Sequence, residues 1–274
     1  MVSILQKNKV RLAKLKALCG AAIVGLMCAA PVAAQDSSKA DANNPLANVT
    51  AFNLQNYYFN GFTGLPDDAD GNQFVLRYAK PLSLGDTNWL LRASLPFNRM
   101  PVGGGGSSVS GMGDVDLFMA YQFDTKPGVS FGIGPQVVAP TASDSRLGGD
   151  QWQLGLANVY FNGTSAKFQY GYLLTYRAGV GGAPKGRDNA SFGAFQPFWF
   201  YQIKDGWYTG GAPIWTYDFN SDNYNIPFGL RIGKVHKFNN TTANFFLEPQ
   251  WSLASRGDGQ AEFQLYAAIN LQFK

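Results

Sequence analysis

Apolar and polar residues alternate, position by position, along most of this chain. Side chains with a period of two lie on opposite faces of an extended strand, whereas a helix repeats about every 3.6 residues. Phe168 and Tyr170, for example, share one face of a segment, and Gln169 lies on the other. Twelve segments show this pattern: 50–60, 72–82, 88–97, 113–124, 128–139, 151–162, 165–177, 190–203, 206–217, 224–236, 242–254 and 260–273. We therefore predict an all-β protein of about twelve strands.

Two architectures fit alternating strands: a soluble β-sandwich with its apolar face inward, and a transmembrane β-barrel with that face outward. The segments are about 10–14 residues long, whereas ordinary strands have about 5–6 residues and a tilted bilayer crossing takes about 9–11. An even number of strands also closes an antiparallel barrel with both termini on one side. We predict a transmembrane antiparallel β-barrel over residues 50–274 and keep a soluble periplasmic sandwich as the alternative.

The connections between these segments alternate in length, which is typical of outer-membrane barrels with short periplasmic turns and long outer loops. The short set is 84–88, 125–128, 162–165, 204–206 and 238–241. The other set is 61–71, 98–112, 140–150, 178–189, 218–223 and 255–259. With the N-terminus in the periplasm, every connection falls on its expected side.

The first residues have the pattern of a secretory signal peptide. Basic residues without an acidic neighbour precede the apolar stretch 17–30: Lys7, Lys9, Arg11, Lys14 and Lys16. That stretch is shorter than the roughly 20 residues of a membrane-spanning helix, and small residues precede Gln35. We predict a cleaved signal peptide at 1–34, a flexible periplasmic leader at 35–49, and a location in a Gram-negative outer membrane.

Removal of residues 1–34 changes the charge of the protein. The chain carries 22 basic and 18 acidic residues, a net charge of +4, and five of the basic ones lie in the signal peptide. The remaining 17 basic residues against 18 acidic ones give a net charge of −1, so no electrostatic argument for a nucleic-acid partner survives. Cys19 and Cys28 also leave with the signal peptide.

Catalytic and metal-binding patterns are weak in this sequence. The single histidine, His236, invites comparison with the twelve-stranded outer-membrane phospholipase. However, the residue two positions after His236 is Phe238 and not the serine that this comparison requires. The acidic stretch 67–71 fails as a calcium loop, because Pro66 and Arg77 stand where the first and last ligands belong. We predict no catalytic residue, metal or cofactor, and treat the protein as a non-enzyme.

Charged residues on the less apolar strand faces point into the predicted lumen. Pairing of neighbouring segments about the predicted connections places Arg77 near Arg92, Asp116 near Arg92, and Arg231 opposite Glu248. These five are the predicted pore-lining residues, in two clusters, Arg77/Arg92/Asp116 and Arg231/Glu248. Opposed charges can orient polar solutes in a pore, and they can also be ion pairs that fill a narrow lumen. Three further lumen charges lie near the outer rim: Asp114, Arg177 and Glu262.

Short motifs in this order and spacing resemble a family of transporter-like outer-membrane proteins associated with the meta-cleavage pathway of phenol degradation. They are Asn44-Pro45-Leu46-Ala47-Asn48, Gly113-Asp114-Val115-Asp116, Pro140-Thr141-Ala142, Trp152-Gln153-Leu154-Gly155, Gln196-Pro197-Phe198, Gly206-Trp207-Tyr208, Ile226-Pro227-Phe228-Gly229 and Gly233-Lys234-Val235. The resemblance implies an outer-membrane β-barrel that passes aromatic or other small hydrophobic compounds. It supplies no catalytic residues.

Together these features predict a passive outer-membrane channel for small solutes. Twelve strands lie between filled barrels of about eight strands and open porins of about sixteen, so we expect a narrow lumen. The expected partners are outer-membrane lipid and lipopolysaccharide, a small-molecule solute and the barrel-assembly machinery. The alternatives are a structural or adhesive barrel without a pore, and an outer-membrane lipid hydrolase.

Overall fold

The computed structural model describes residues 41–103 and 107–273 of the chain. The predicted signal peptide and the first part of the leader lie outside these residues. One short 3₁₀ turn, Asp41–Asn43, precedes the strands. Within the described residues no helix has the length and hydropathy that a bilayer crossing requires.

The described part of the chain forms fifteen antiparallel strands in one sheet. They are β1 (Thr50–Phe62), β2 (Asp70–Leu84), β3 (Thr87–Pro101), β4 (Ser108–Met112), β5 (Val115–Lys126), β6 (Val129–Ala139), β7 (Trp152–Asn162), β8 (Phe168–Val180), β9 (Ser191–Lys204), β10 (Trp207–Gly211), β11 (Trp215–Asp218), β12 (Asn223–Gly229), β13 (Arg231–Phe238), β14 (Thr241–Arg256) and β15 (Ala261–Phe273).

Interruptions divide three of the barrel strands, so the fifteen segments make a twelve-stranded barrel. The pairs β4/β5, β10/β11 and β12/β13 each continue one strand across a break, and both members of each pair bond to the same neighbour, β3, β9 and β14 respectively. The barrel closes where β1 pairs with β15, from Thr50 opposite Phe273 to Phe62 opposite Ala261. The predicted fold class, an antiparallel barrel of twelve strands, is confirmed.

The two ends of the barrel differ as the connection lengths predict. Both described termini and the short connections lie at one end, which we call the turn end. The long connections lie at the other, the loop end. The predicted loop 98–112 is the main difference, because β3 continues to Pro101 and pairs with β4, which begins at Ser108.

The two faces of the wall have opposite chemistry. Large apolar side chains point outward and remain exposed, as Leu156 at 60% and Leu253 at 71% illustrate. Such a surface is stable only against hydrocarbon, which is the belt expected of a transmembrane barrel. Aromatic residues near the predicted strand ends suggest an interfacial girdle: Tyr57, Tyr58, Trp89, Trp152, Trp207, Tyr208 and Trp251. Of these, Tyr57 and Tyr208 point inward and are buried, at 7% and 0% exposure.

Candidate channel lumen

A wide cavity of about 610 Å³ lies at the loop end; we call it the vestibule. Three predicted lumen residues, Asp114, Asp116 and Arg177, line it together with side chains of the long loops. The Arg177 Nε atom donates a hydrogen bond to Gln153 Oε1 at 2.8 Å. The vestibule is therefore polar and carries charges of both signs.

Asp114 fixes the loop at 140–150 against the mouth of the barrel. Its Oδ1 atom accepts hydrogen bonds from the backbone N–H groups of Thr141 (3.1 Å) and Ala142 (3.0 Å). Its Oδ2 atom accepts one from Gly149 N–H at 2.7 Å. The neighbouring Gly148 has no room for a side chain, since a Cβ atom there would lie 2.5 Å from Asp114 Oδ1. A charged acceptor with three backbone donors holds this loop firmly.

The same loop is joined to the next one along the chain. Arg187 donates hydrogen bonds to the carbonyl oxygens of Ser145 (2.6 Å) and Gly148 (3.1 Å). Within the loop, the Arg146 guanidinium bonded to Asp144 holds the pKa of that carboxyl well below its usual range. The rim of the vestibule is thus ordered by charge–backbone contacts.

Arg231 and Glu248 form an ion pair at mid-height, as the hairpin arithmetic predicts. Arg231 Nε lies 2.6 Å from Glu248 Oε2, and the two side chains are only 6% and 0% exposed. The guanidinium also lies 3.6 Å from the ring centre of Phe246. Glu248 Oε1 accepts the backbone N–H of Ala212, which lies in the break between β10 and β11. Glu248 therefore supplies the acceptor for a backbone N–H group at a point where the strand is interrupted.

A second, smaller cavity of about 160 Å³ lies between this ion pair and the turn end; we call it the inner cavity. Arg77, Arg92 and Arg231 line it. Aromatic side chains buried around it form the packed part of the lumen: Tyr57, Phe161, Phe198, Phe200, Tyr208, Phe246 and Tyr266. The lower half of the barrel is thus narrow and largely filled with rings.

The predicted cluster of Arg77, Arg92 and Asp116 is divided between the two cavities. Asp116 faces the vestibule, where its carboxylate accepts a hydrogen bond from Gln136, while the two arginines face the inner cavity. Register alone does not separate them, because Asp116 lies opposite Ser94 and is a diagonal neighbour of Arg92. The hydrogen bond with Gln136 of β6 holds the Asp116 carboxylate on the side of the vestibule.

The remaining predicted residues lie near the barrel ends. Glu262 is exposed at the loop end, beside Gly61. His236 lies at the turn end, with its ring 4.3 Å from that of Phe238. That position is on the outward face, away from both cavities, and it suits an interfacial side chain better than a catalytic one.

The leader contributes a feature that the sequence does not predict, since residues 42–49 lie inside the barrel. Leu46 is 5% exposed and packs against Leu90 and Val159. The Leu46 carbonyl oxygen accepts a hydrogen bond from Gln122 Nε2 at 3.0 Å. Instead of a loose periplasmic segment, the second half of the leader packs across the lumen near the turn end.

Contacts at the start of this segment reach the opposite wall. Asn43 Oδ1 accepts a hydrogen bond from Asn244 Nδ2 at 2.9 Å, and the Ala42 carbonyl oxygen accepts one from Gln272 Nε2 at 3.1 Å. We call residues 42–49 the lumen segment. The available signal was the sequence Asn44-Pro45-Leu46, in which an apolar residue follows turn-forming ones in a polar stretch.

No protein-family model and no curated protein matches this chain. Its structure is similar to the COG4313 outer membrane channel from Pseudomonas putida F1, with a TM-score of 0.65 and 15% identity over 83% of this chain and 96% of that chain. It is also similar to the NanC porin, with a TM-score of 0.54 and 9% identity over 81% of this chain and 99% of that chain. At these identities the similarity shows a shared barrel fold.

Proposed function

We propose that the protein is a passive channel in a bacterial outer membrane for small solutes, aromatic and other hydrophobic compounds among them. Residues 1–34 serve as the export signal in this proposal, and lipid, lipopolysaccharide and the barrel-assembly machinery are its partners there. The apolar outward belt supports the location. The relation to proteins of phenol degradation rests on the sequence motifs alone.

One observation carries the channel proposal: the barrel interior holds two cavities, and among the described residues the lumen segment covers the turn end. The vestibule provides about 610 Å³ and the inner cavity about 160 Å³. The lumen segment is attached by side-chain hydrogen bonds and one buried leucine, with no ladder pairing to the wall. A filled structural barrel needs neither cavity, so this interior favours conduction that a movable segment restricts.

Aromatic solutes fit the lining of the lower lumen. Edge-to-face and offset contacts between rings add about 0.5–1.5 kcal/mol each beyond burial. The inner cavity offers the faces of Phe118, Phe198 and Phe246. An aromatic solute would form ring–ring contacts with these side chains as it passes. These contacts would lower the free-energy cost of entering a narrow channel.

Single-channel recording of the refolded protein in planar bilayers tests this function. We expect a small conductance from the full chain and a several-fold larger one when residues 42–49 are deleted, because the deletion opens the turn end. A matched variant in which the same eight positions carry glycine and serine keeps the chain length but loses the anchoring contacts, and should also conduct more.

The outcome that contradicts a channel is absence of conductance in all three proteins. A structural or adhesive barrel would then be the better function. If the proteins conduct but phenol at millimolar concentration blocks the current no more than glycerol does, the channel stands and the aromatic solute class fails.

A further inference from the structure

The inner cavity contains two arginines that have no ion-pair partner among the described residues. Arg77 lies opposite Ser94 and Arg92 opposite Ala79, so the two are diagonal neighbours on β2 and β3. Among residues 41–103 and 107–273, no carboxylate oxygen lies within 4.0 Å of either guanidinium. Like charges at this spacing repel, and charges inside a membrane protein normally have a partner.

Their hydrogen-bonding capacity is largely unused. The Arg77 Nε atom donates to Ser94 Oγ at 3.1 Å. The Arg92 guanidinium lies 4.0 Å from the ring centre of Phe118, and its Nε atom is buried without a hydrogen-bond partner among the described residues. Each guanidinium has five N–H donors in a planar arrangement that matches a carboxylate. The pair is therefore prepared for an anion that the protein does not supply.

Arg231, which lines the same cavity, has its own partner in Glu248 at 2.6 Å. Its charge needs no ligand. The contrast within one cavity assigns anion binding to Arg77 and Arg92 and leaves Arg231 a structural residue.

A polar side chain beside the two arginines also lacks a partner. Gln55 is 2% exposed, lines the inner cavity, and its Oε1 atom has no donor among the described residues. Buried polar atoms are nearly always satisfied in folded proteins, and the exceptions call for an explanation. An amide oxygen needs a donor, so this observation points to water in the cavity beside any bound anion.

Part of the cavity lining is apolar, and Leu46 of the lumen segment packs on Leu90 and Val159 there. Leu90 and Val159 are each 2% exposed, and Leu173 and Phe198 complete this wall. A dry apolar cavity of about 150 Å³ in another protein accepts benzene, and the inner cavity has about 160 Å³. The available space therefore matches one aromatic ring.

We propose that the inner cavity is a binding site for a small aromatic carboxylate, whose carboxylate contacts Arg77 and Arg92 while its ring lies on the apolar wall. This deepens the proposed function, on which its role in transport rests, by naming an anionic solute class. A neutral phenol would give neither arginine a counter-ion, and a small inorganic anion would make no contact of its own with the apolar lining.

Calorimetric titration of the full-length protein in detergent micelles tests the site, with benzoate, benzyl alcohol and acetate as probes. We expect benzoate to bind at least about tenfold more tightly than the neutral alcohol or acetate, because each of those lacks one half of the interaction. Equal affinity for either would overturn the proposal.

Variants localise the binding. Arg77→Gln with Arg92→Gln should weaken benzoate binding at least about tenfold and remove the preference over benzyl alcohol. Arg77→Lys with Arg92→Lys keeps the charge and should retain part of the preference. The matched control is Arg146→Gln, an exposed loop arginine bonded to Asp144, which should bind benzoate as the natural chain does. Unchanged binding in the glutamine variant would overturn the proposal.

Two results separate this inference from the proposed function. Titration needs no conductance, so a protein that conducts but does not prefer benzoate loses the site and keeps the channel. A protein that prefers benzoate but never conducts keeps the site and loses the channel. If the glutamine variant does not refold, as judged by heat-dependent gel migration, the lysine variant and the probe preference of the natural chain decide.

Discussion

Charged side chains have different kinds of partner in the two halves of the lumen. In the loop-end half, Asp114 and Arg187 bond to backbone groups of the outer loops in a cavity that opens to solvent. At mid-height, where the packed part of the lumen begins, Glu248 is 0% exposed among aromatic rings, and its charge is met by Arg231. Water and loop backbone groups can satisfy charges at the mouth, whereas a charge in the packed part depends on side chains of the barrel wall.

This difference shows where the loss of a charge partner should destabilise the barrel itself. Removal of a partner should cost most in the filled half, where the charge left behind has no access to water. The same change at the mouth should loosen a loop and leave the barrel intact. Three substitutions rank these effects.

The largest effect is expected for Glu248→Gln. The change keeps an acceptor for Ala212 N–H but leaves the Arg231 guanidinium buried without its counter-charge. Loss of one partner of a buried pair costs about 3–5 kcal/mol. Urea unfolding in phospholipid vesicles, followed by tryptophan fluorescence, measures the change in free energy of unfolding.

Two controls sharpen this result. Glu248→Met combined with Arg231→Met removes both charges and should be much less destabilising than the single change. Asp144→Asn removes the acidic partner of an exposed loop pair and should leave the unfolding midpoint unchanged. A loss below about 1 kcal/mol for Glu248→Gln would mean that water reaches the pair, and the contrast between the halves would fail.

Leu46→Ala should have an intermediate effect that is confined to the lumen segment. The side chain packs on Leu90 and Val159 inside the barrel, and loss of a buried leucine costs about 2 kcal/mol at the lower end of the usual range. Because this segment covers the turn end, its weaker docking should appear as longer open times in bilayer recordings, with the unfolding of the barrel unchanged. Asn48→Ala, in the same segment, serves as the control.

Asp114→Asn should give the smallest effect, at the mouth. The neutral amide is a weaker acceptor for the three loop N–H groups, at a cost of about 1–2 kcal/mol. Hydrogen exchange at Thr141, Ala142 and Gly149 should accelerate roughly tenfold, while exchange within the strands stays the same. Asp67→Asn, in another exposed loop, is the matched control. Faster exchange throughout the barrel would contradict a local role.

The strand pattern was predictable because each strand has an apolar environment on its outer face and a polar lumen on its inner face. Alternation places Leu154 and Leu156 on one face of β7 and Gln153 on the other, whichever strands become neighbours. The order of short and long connections likewise follows from local composition. The pairing of Arg231 with Glu248 was also accessible, because both lie on strands joined by one short turn, so hairpin counting brings them together.

Other features needed the closed barrel. Tyrosine is common at membrane interfaces, but the positions of Tyr57 and Tyr208 on their strands direct both rings into the lumen. The separation of Asp116 from Arg92 depends on Gln136, a side chain of the neighbouring strand β6. Alternation along a strand predicts which face of the sheet a side chain occupies. Its height in the barrel and its contacts depend on neighbouring strands that are distant in the sequence.

The sequence by itself determined a closed sheet with an apolar outside, because period-two alternation and the length of the segments leave few other solutions. Only the tertiary structure decided what the inside contains. The lumen segment has no periodicity, and its place is fixed by Gln122, Asn244 and Gln272, which lie 76, 201 and 230 residues from their respective partners. Such contacts form only once the barrel has closed, and the same closure encloses Arg77 and Arg92, already neighbours in one hairpin, in a small cavity whose described lining holds no acid.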